Sequence, residues 1–69
     1  MTPVDQFPRI HLKPESDLQS FDQRAHVIAV RSESSTQWEG YLVENKDGEP
    51  VNPPVFGVWP KFAWKKVSG

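Results

Sequence analysis

The residues best suited to bind a ligand lie near the end of the chain. Lysines and large aromatic side chains alternate in the segment Trp59-Pro60-Lys61-Phe62-Ala63-Trp64-Lys65-Lys66. Positions 59–69 contain three lysines and no acidic residue, whereas positions 36–58 contain four acidic residues and one lysine. Cations that follow phosphates, beside rings that stack on bases, are what single-stranded nucleic acid requires. The pattern therefore predicts, as one hypothesis, a nucleic-acid-binding surface made of Arg9, Lys13, Lys61, Lys65 and Lys66.

A purely structural interpretation explains the same alternation. An amphipathic strand with Phe62 and Trp64 inward and its lysines outward has this pattern, and edge lysines commonly prevent strands of different molecules from pairing. The isoelectric point of about 6.0 and the net charge of -1 also differ from the strongly basic balance of dedicated nucleic-acid binders. Nucleic-acid binding is therefore the second hypothesis.

Aromatic residues are concentrated in the second half of the chain, with six of them between positions 38 and 64. Each large ring can bury ~150–250 Å², and so small a domain cannot hide all of them. Exposed aromatic rings beside lysine or arginine are typical anchors of protein interfaces. The sequence therefore predicts a partner-binding set, for which the partner is a second copy of the chain, a larger protein or a nucleic acid. This set consists of Trp38, Tyr41, Trp59, Phe62 and Trp64.

Signatures of enzymes and metal sites are absent from the sequence. There is no glycine-rich phosphate loop, no Gly-x-Ser-x-Gly elbow, no His-Glu-x-x-His motif and no cysteine. His26 starts an apolar strand and is interpreted as structural, whereas His11 alternates with basic residues and should be exposed. Two histidines without a thiolate do not complete a closed four-ligand zinc site unless carboxylates join them. We expect no catalysis, no metal and no cofactor; an active site shared across an oligomer is the remaining alternative.

The size of the chain bears on how it is stabilised. At 69 residues it falls below the ~70–80 residues at which one core suffices, and without cysteine it has no disulfide. Aromatic packing or association with a partner must supply the missing stability. The longest apolar run is Val27–Val30, too short to span a membrane, and no signal-peptide pattern is present. We expect a soluble, cytoplasmic accessory or regulatory protein of a bacterium or phage.

Alternating polarity and turn residues predict the elements. The Ser16-x-x-Gln19 spacing is that of a capping box, and Gly40 between aromatic residues indicates a bulge or bend. Residues 49–54, rich in proline, should be irregular, and the sequence Asn45-Lys46-Asp47-Gly48 should be a turn. The pattern predicts strands at 8–13, 24–31 (the central strand), 37–44, 55–59 and 61–67, with one or two helical turns within 15–22.

These elements predict a mainly β fold. We expect a small antiparallel barrel or strongly bent sheet of SH3-like or OB-like architecture, with four to five strands and one short helical turn. It should be a single domain over residues 7–67, between a flexible N-terminus (1–6) and a short tail (68–69). If the first and last strands are neighbours, Arg9, His11 and Lys13 join Lys61 and Lys65 in one basic face. The leading hypothesis is a non-enzymatic protein-interaction module that docks through its aromatic C-terminal half or an exposed strand edge.

Overall fold

A computed structural model describes residues 4–19 and 24–67, which form a single five-stranded antiparallel sheet in the order β4-β3-β2-β1-β5. The mainly β fold is confirmed, and β2 is the central strand, as predicted. In chain order the elements are a 3-10 helix (Val4–Gln6), β1 (Arg9–Pro14), a second 3-10 helix (Glu15–Asp17), β2 (His26–Glu33), β3 (Gln37–Glu44), β4 (Pro50–Pro60) and β5 (Trp64–Val67).

The helical turn predicted after β1 is present as the 3-10 helix Glu15–Asp17. The 3-10 helix is capped by Pro14 without a side-chain hydrogen bond, so Ser16 does not form the expected capping box. Positions 20–22 of the predicted 15–22 segment lie outside the described residues. Positions 1–3 of the predicted flexible N-terminus and the whole 68–69 tail also lie outside them, and Val4–Gln6 form a 3-10 turn.

β4 differs most from the sequence-based expectation, because the proline-rich segment expected to be irregular belongs to the strand. The Lys61 amide donates to the Thr36 carbonyl at 2.8 Å, so Thr36 and Lys61 form a hydrogen-bonded pair. Hydrogen-bonded and non-hydrogen-bonded pairs alternate from there along β3 and β4. Trp59, Gly57 and Val55 then direct their amides toward β3, and positions 54, 56, 58 and 60 direct theirs away. Prolines at 54 and 60 therefore remove no ladder hydrogen bond, which is where an edge strand tolerates them.

The remaining prolines of β4 lie beside an irregularity in pairing. Four residues, 51–54, lie opposite Val43 alone, between the pairs Leu42–Val55 and Glu44–Pro50. The Asn52–Pro53 peptide bond within this segment is cis.

The segment after β4 also corrects the sequence analysis. Residues 61–63 form a turn in which the Ala63 amide donates to the Pro60 carbonyl at 3.1 Å, and β5 begins only at Trp64. Phe62 therefore lies at a turn, and its side chain is 81% exposed instead of facing inward beside Trp64.

Local side-chain chemistry forms the tight turn between β3 and β4, as predicted. The Asn45 side-chain oxygen accepts hydrogen bonds from the amides of Asp47 and Glu49 at 2.9 and 3.0 Å. Gly48 adopts a φ of 81°, and its amide donates to the Asn45 carbonyl. A residue with a side chain would be strained at that φ.

The connection between β4 and β5 shows that the sheet curls. These strands are at opposite edges, about 19 Å apart in a flat five-stranded sheet with ~4.8 Å spacing. Pro60 and Trp64 end and begin them, and a chain can span at most ~15 Å between these two residues. The sheet must therefore bend until the two edges approach each other. Because β4 and β5 do not pair, it is not closed into a barrel.

The curled sheet encloses its core on one side, which we call the core face. Leu12 and Ile28 are fully buried there, in contact with Trp38 and Trp59. Ile10, Val30, Leu42 and Trp64 pack against this cluster. The opposite side, called the second face, carries the alternate residues of each strand.

Candidate interaction surfaces

The five aromatic residues predicted to bind a partner are distributed over different parts of the fold. Trp38 and Trp59 are paired across β3 and β4 in the core, each only 8% exposed. Trp64 is half-buried against the same core, and its ring meets the edge of His26 with centroids 5.1 Å apart. Phe62 is exposed at the turn, and Tyr41 lies on the second face. The tryptophans thus stabilise the fold and offer little surface to a partner.

A second aromatic cluster lies on the second face, and we call it the outer aromatic cluster. It consists of Phe7, Tyr41, Phe56 and Arg31. Phe7 stacks on Tyr41, with centroids 6.3 Å apart and planes 4° from parallel, and Tyr41 meets Phe56 edge to face at 5.3 Å. The Arg31 guanidinium lies 5.7 Å from the centre of the Phe56 ring, within cation–π range. These contacts cover Ala29, which is completely buried opposite Tyr41, and they leave the Phe56 ring 46% exposed.

Basic side chains occupy the β1–β5 end of the second face. The register confirms that β1 and β5 are neighbours and sets Lys13 directly opposite Lys65, with Arg9 and His11 farther along the same side of β1. Lys65 lies 4.0 Å from a carboxylate oxygen of Glu15. A pocket of about 260 Å³ opens at this end, lined by Arg9, His11, Arg24, Ala25, Val27 and Glu44. Its two guanidiniums outnumber its one carboxylate, so it favours an anion.

Lys61 and Lys66 do not join this basic end. The Lys61 ammonium instead donates to Glu33 at 2.7 Å and lies 5.1 Å from the centre of the Trp38 ring. Lys66 pairs with the buried Leu12, so it lies on the opposite face from Lys65. The predicted set of five cations is therefore divided, and only Arg9, Lys13 and Lys65 share a side.

The outer edge of β4 is open. Within residues 4–19 and 24–67, β3 is the only strand that pairs with β4, and the amides and carbonyls of Phe56 and Val58 point away from it. The whole strand, from Pro50 to Pro60, contains no charged residue. Val55, Phe56 and Val58 expose 57%, 46% and 46% of their surface.

The other edge of the sheet has the opposite character. β5 is four residues long, and Lys65 and Lys66 are both exposed on it. Short strands and lysines are common means of preventing edge-to-edge pairing. β4 lacks both kinds of protection between Pro54 and Pro60, although its prolines limit the open segment to residues 55–59.

The titratable groups with shifted pKa values serve structural contacts. Burial lowers the pKa of His26, whose Nδ1 atom is buried without a hydrogen-bond partner among the described residues. The hydrogen bond from Lys61 lowers the pKa of the exposed Glu33 carboxyl. Over the part of the chain that the structure describes, no group of three or more His, Cys, Asp or Glu side chains could hold a metal ion.

Several residues of these surfaces were absent from the sequence-based site. Phe7 and Phe56 belong to the outer aromatic cluster, Arg24 lines the pocket at the basic end of the second face, and Val58 belongs to the open edge of β4. Phe56 was recognisable as part of the aromatic excess. Arg24 precedes β2, and its amide donates to the carbonyl of Lys46, a contact between distant residues that no local pattern contains.

Comparisons of the chain with protein-family models, with curated proteins and with solved structures gave no match. Among the described residues, no helix is long and apolar enough to cross a membrane.

Proposed function

We propose that the protein is a non-enzymatic interaction module that binds an extended segment of another polypeptide as a sixth strand beside β4. The observation that carries this proposal is the open edge at Phe56 and Val58, where unpaired backbone groups lie between exposed apolar side chains on an uncharged strand. In such strand addition, main-chain hydrogen bonds provide affinity and alternate side chains provide specificity.

The chemistry of the edge defines the partner segment. It should be extended over about five residues, because prolines limit the open segment to residues 55–59. It should be uncharged and carry an apolar side chain on the second face, where the Phe56 ring is available beside Tyr41 and Arg31. A charged side chain at that position would lose solvation without gaining an ion pair from β4.

The finer form of the fold prediction, an SH3-like or OB-like architecture, is also a proposal. The short turn between Pro60 and Trp64, which forces the opposite edges toward each other, supports it. Because such folds serve many unrelated functions, the architecture does not itself identify the partner.

A random peptide library displayed on phage, selected against the folded protein, tests the proposed function. Selected peptides should perturb the amide resonances of Phe56 and Val58 most strongly in nuclear magnetic resonance spectra. Val58→Pro removes an outward amide without removing a β3–β4 hydrogen bond, so it should weaken peptide binding by up to about tenfold in a folded protein.

Lys66→Pro is the matched control, because the Lys66 amide points outward from the β5 edge in the same way. It should leave peptide binding unchanged. Peptides that bind equally well to Val58→Pro, or that perturb β5 instead of β4, would contradict the proposed function.

Binding of single-stranded nucleic acid is a second candidate, favoured by the basic end of the second face. Arg9 lines the pocket together with Arg24, and Lys65 lies opposite Lys13 on the same face. We expect an oligothymidylate to lose affinity steeply between ~50 and ~200 mM salt if this surface contacts several phosphates. The double variant Arg9→Ala/Lys65→Ala should then weaken binding of the oligothymidylate. The double variant Lys61→Ala/Lys66→Ala removes two lysines that lie away from the basic end, so it should leave that binding unchanged. Equal loss in both double variants would exclude this surface.

A further inference from the structure

The open edge of β4 has one partner whose chemistry is fully specified by the chain, namely β4 of a second copy. We infer that two copies associate through their β4 edges in antiparallel register, with Gly57 of each copy at the twofold axis. This inference rests on the proposed strand-addition function and names its partner. The result is a continuous ten-stranded sheet.

Charge favours self-pairing at β4. When the same edge strand of two copies pairs in antiparallel register, each segment lies against the same segment of the other copy. Charged residues of the two copies would therefore repel each other. β4 has no charged residue between Pro50 and Pro60 and carries no such repulsion. Two β5 edges would instead bring Lys65 and Lys66 of one copy against the same lysines of the other.

The backbone geometry allows the register centred on Gly57. Phe56 of one copy then lies opposite Val58 of the other, and each such pair exchanges two hydrogen bonds through the outward amides and carbonyls. Pro54 lies opposite Pro60, so the two residues without an amide face each other and no donor lacks an acceptor.

Side chains select this register over its neighbours. A shift by one pair in either direction sets Phe56 opposite itself and Val58 opposite Pro54, or Val58 opposite itself and Phe56 opposite Pro60. Only the register centred on Gly57 joins the two exposed apolar residues of the second face, an aromatic and a β-branched residue, in both cross-strand pairs. At the axis the two glycines have no side chains to collide.

The twofold axis is perpendicular to the sheet, so the second faces of both copies lie on the same side. The outer aromatic clusters then become continuous across the junction, because the exposed Phe56 ring of one copy covers Val58 of the other. The basic residues of β1 and β5 take no part in the β4–β4 pairing.

Sedimentation velocity from micromolar to millimolar concentration tests for the dimer. We expect the wild-type chain to shift from monomer to dimer, and Val58→Pro to weaken the dimer by about tenfold to a hundredfold, because two hydrogen bonds of ordinary strength are lost. Lys66→Pro, the matched change at the other edge, should dimerise like wild type. A chain that stays monomeric throughout, or one whose dimer is weakened by Lys66→Pro and not by Val58→Pro, overturns the inference.

Cysteine cross-linking tests the register, since the natural chain has no cysteine. Phe56→Cys mixed with Val58→Cys should give a disulfide-linked heterodimer under mild oxidation, because these positions face each other about 5.5 Å apart between Cα atoms. Each variant alone should cross-link poorly, because its own cysteines are two residues out of register. Efficient cross-linking of either variant with itself overturns the Gly57-centred register.

The peptide selection distinguishes failure of this inference from failure of the proposed function. A monomeric chain whose β4 edge nevertheless binds selected peptides retains the function and excludes the second copy as its partner. If the dimer forms as inferred, the same peptides should compete with dimerisation.

Discussion

Replacing Gly40 by alanine provides the most direct stability test of the sheet. Gly40 lies on the core face of β3, opposite Val30 of β2 and Gly57 of β4. A Cβ atom there would overlap the Ala29 carbonyl oxygen and come within 2.9 Å of the Val30 Cα atom. These are backbone atoms of the central strand, so no side chain can rotate away to make space.

The expected cost is large relative to the stability of the protein. Overpacking typically costs ~1–3 kcal/mol, and a collision with backbone belongs at or above the upper end of that range. A domain of 69 residues has a free energy of unfolding of ~3–10 kcal/mol. β2 and β3 cannot separate without breaking ladders to β1 and β4. We therefore expect Gly40→Ala to lose about 3 kcal/mol or more, which leaves a domain at the low end of that range largely unfolded.

Gly57→Ala is the control, because it makes the same chemical change in the neighbouring strand. The atoms nearest to a Cβ atom at Gly57 belong to the Trp59 side chain, the first at 3.0 Å, and β4 is an edge strand that can shift. We expect the free energy of unfolding to change by no more than about 1 kcal/mol. Alanine lowers the conformational entropy of the unfolded chain, and this gain offsets the crowding in the folded protein. Urea unfolding followed by tryptophan fluorescence and circular dichroism measures both. A Gly40→Ala protein as stable as wild type, or less affected than Gly57→Ala, would refute the reasoning.

Three other predictions concern separate parts of the molecule. Burial lowers the folded-state pKa of His26 below its ordinary value of about 6.5, so the unfolded chain binds more protons than the folded chain below that pH. The urea midpoint should therefore decrease as the pH is lowered below about 6.5, and His26→Gln should make this decrease smaller. Phe62→Ala should change the free energy of unfolding by less than ~0.5 kcal/mol, since its ring is exposed, and a larger loss in urea titration would show that the ring packs. If the dimer forms, the melting temperature should rise with protein concentration for wild type and much less for Val58→Pro; identical scans would count against it.

The sequence predicted the elements whose signals are local. Alternation in Ile10 and Leu12 marked β1, the Val27–Val30 run marked the central strand, and Asp47-Gly48 marked the turn. Each depends on side-chain period or on turn chemistry within a few residues, so neighbours in sequence suffice to recognise it.

The parts that the sequence analysis missed depend on pairing between distant residues. Whether Pro54 and Pro60 are allowed in a strand depends on which side of β4 faces β3, and the Thr36–Lys61 hydrogen bond settles that. Phe62 fits an alternating pattern equally well in a strand or beside a turn. Register irregularities in β2 and β3, near Arg31 and Glu44, decide which charged side chains reach the second face.

The small size of the chain predicts that association adds to its stability, and the structure shows where the apolar surface for such association lies. The core face is filled by tryptophans, and the second face is covered over Val27 and Ala29, which are buried. Apolar surface left over after folding is concentrated on β4, where three of the exposed large apolar side chains lie. Association that stabilises this small domain should therefore occur at β4, and an anionic ligand should bind three strands away at Arg9. Because the two surfaces share no residue, a substitution at Val58 should leave salt-dependent anion binding intact, and one at Arg9 should leave association intact.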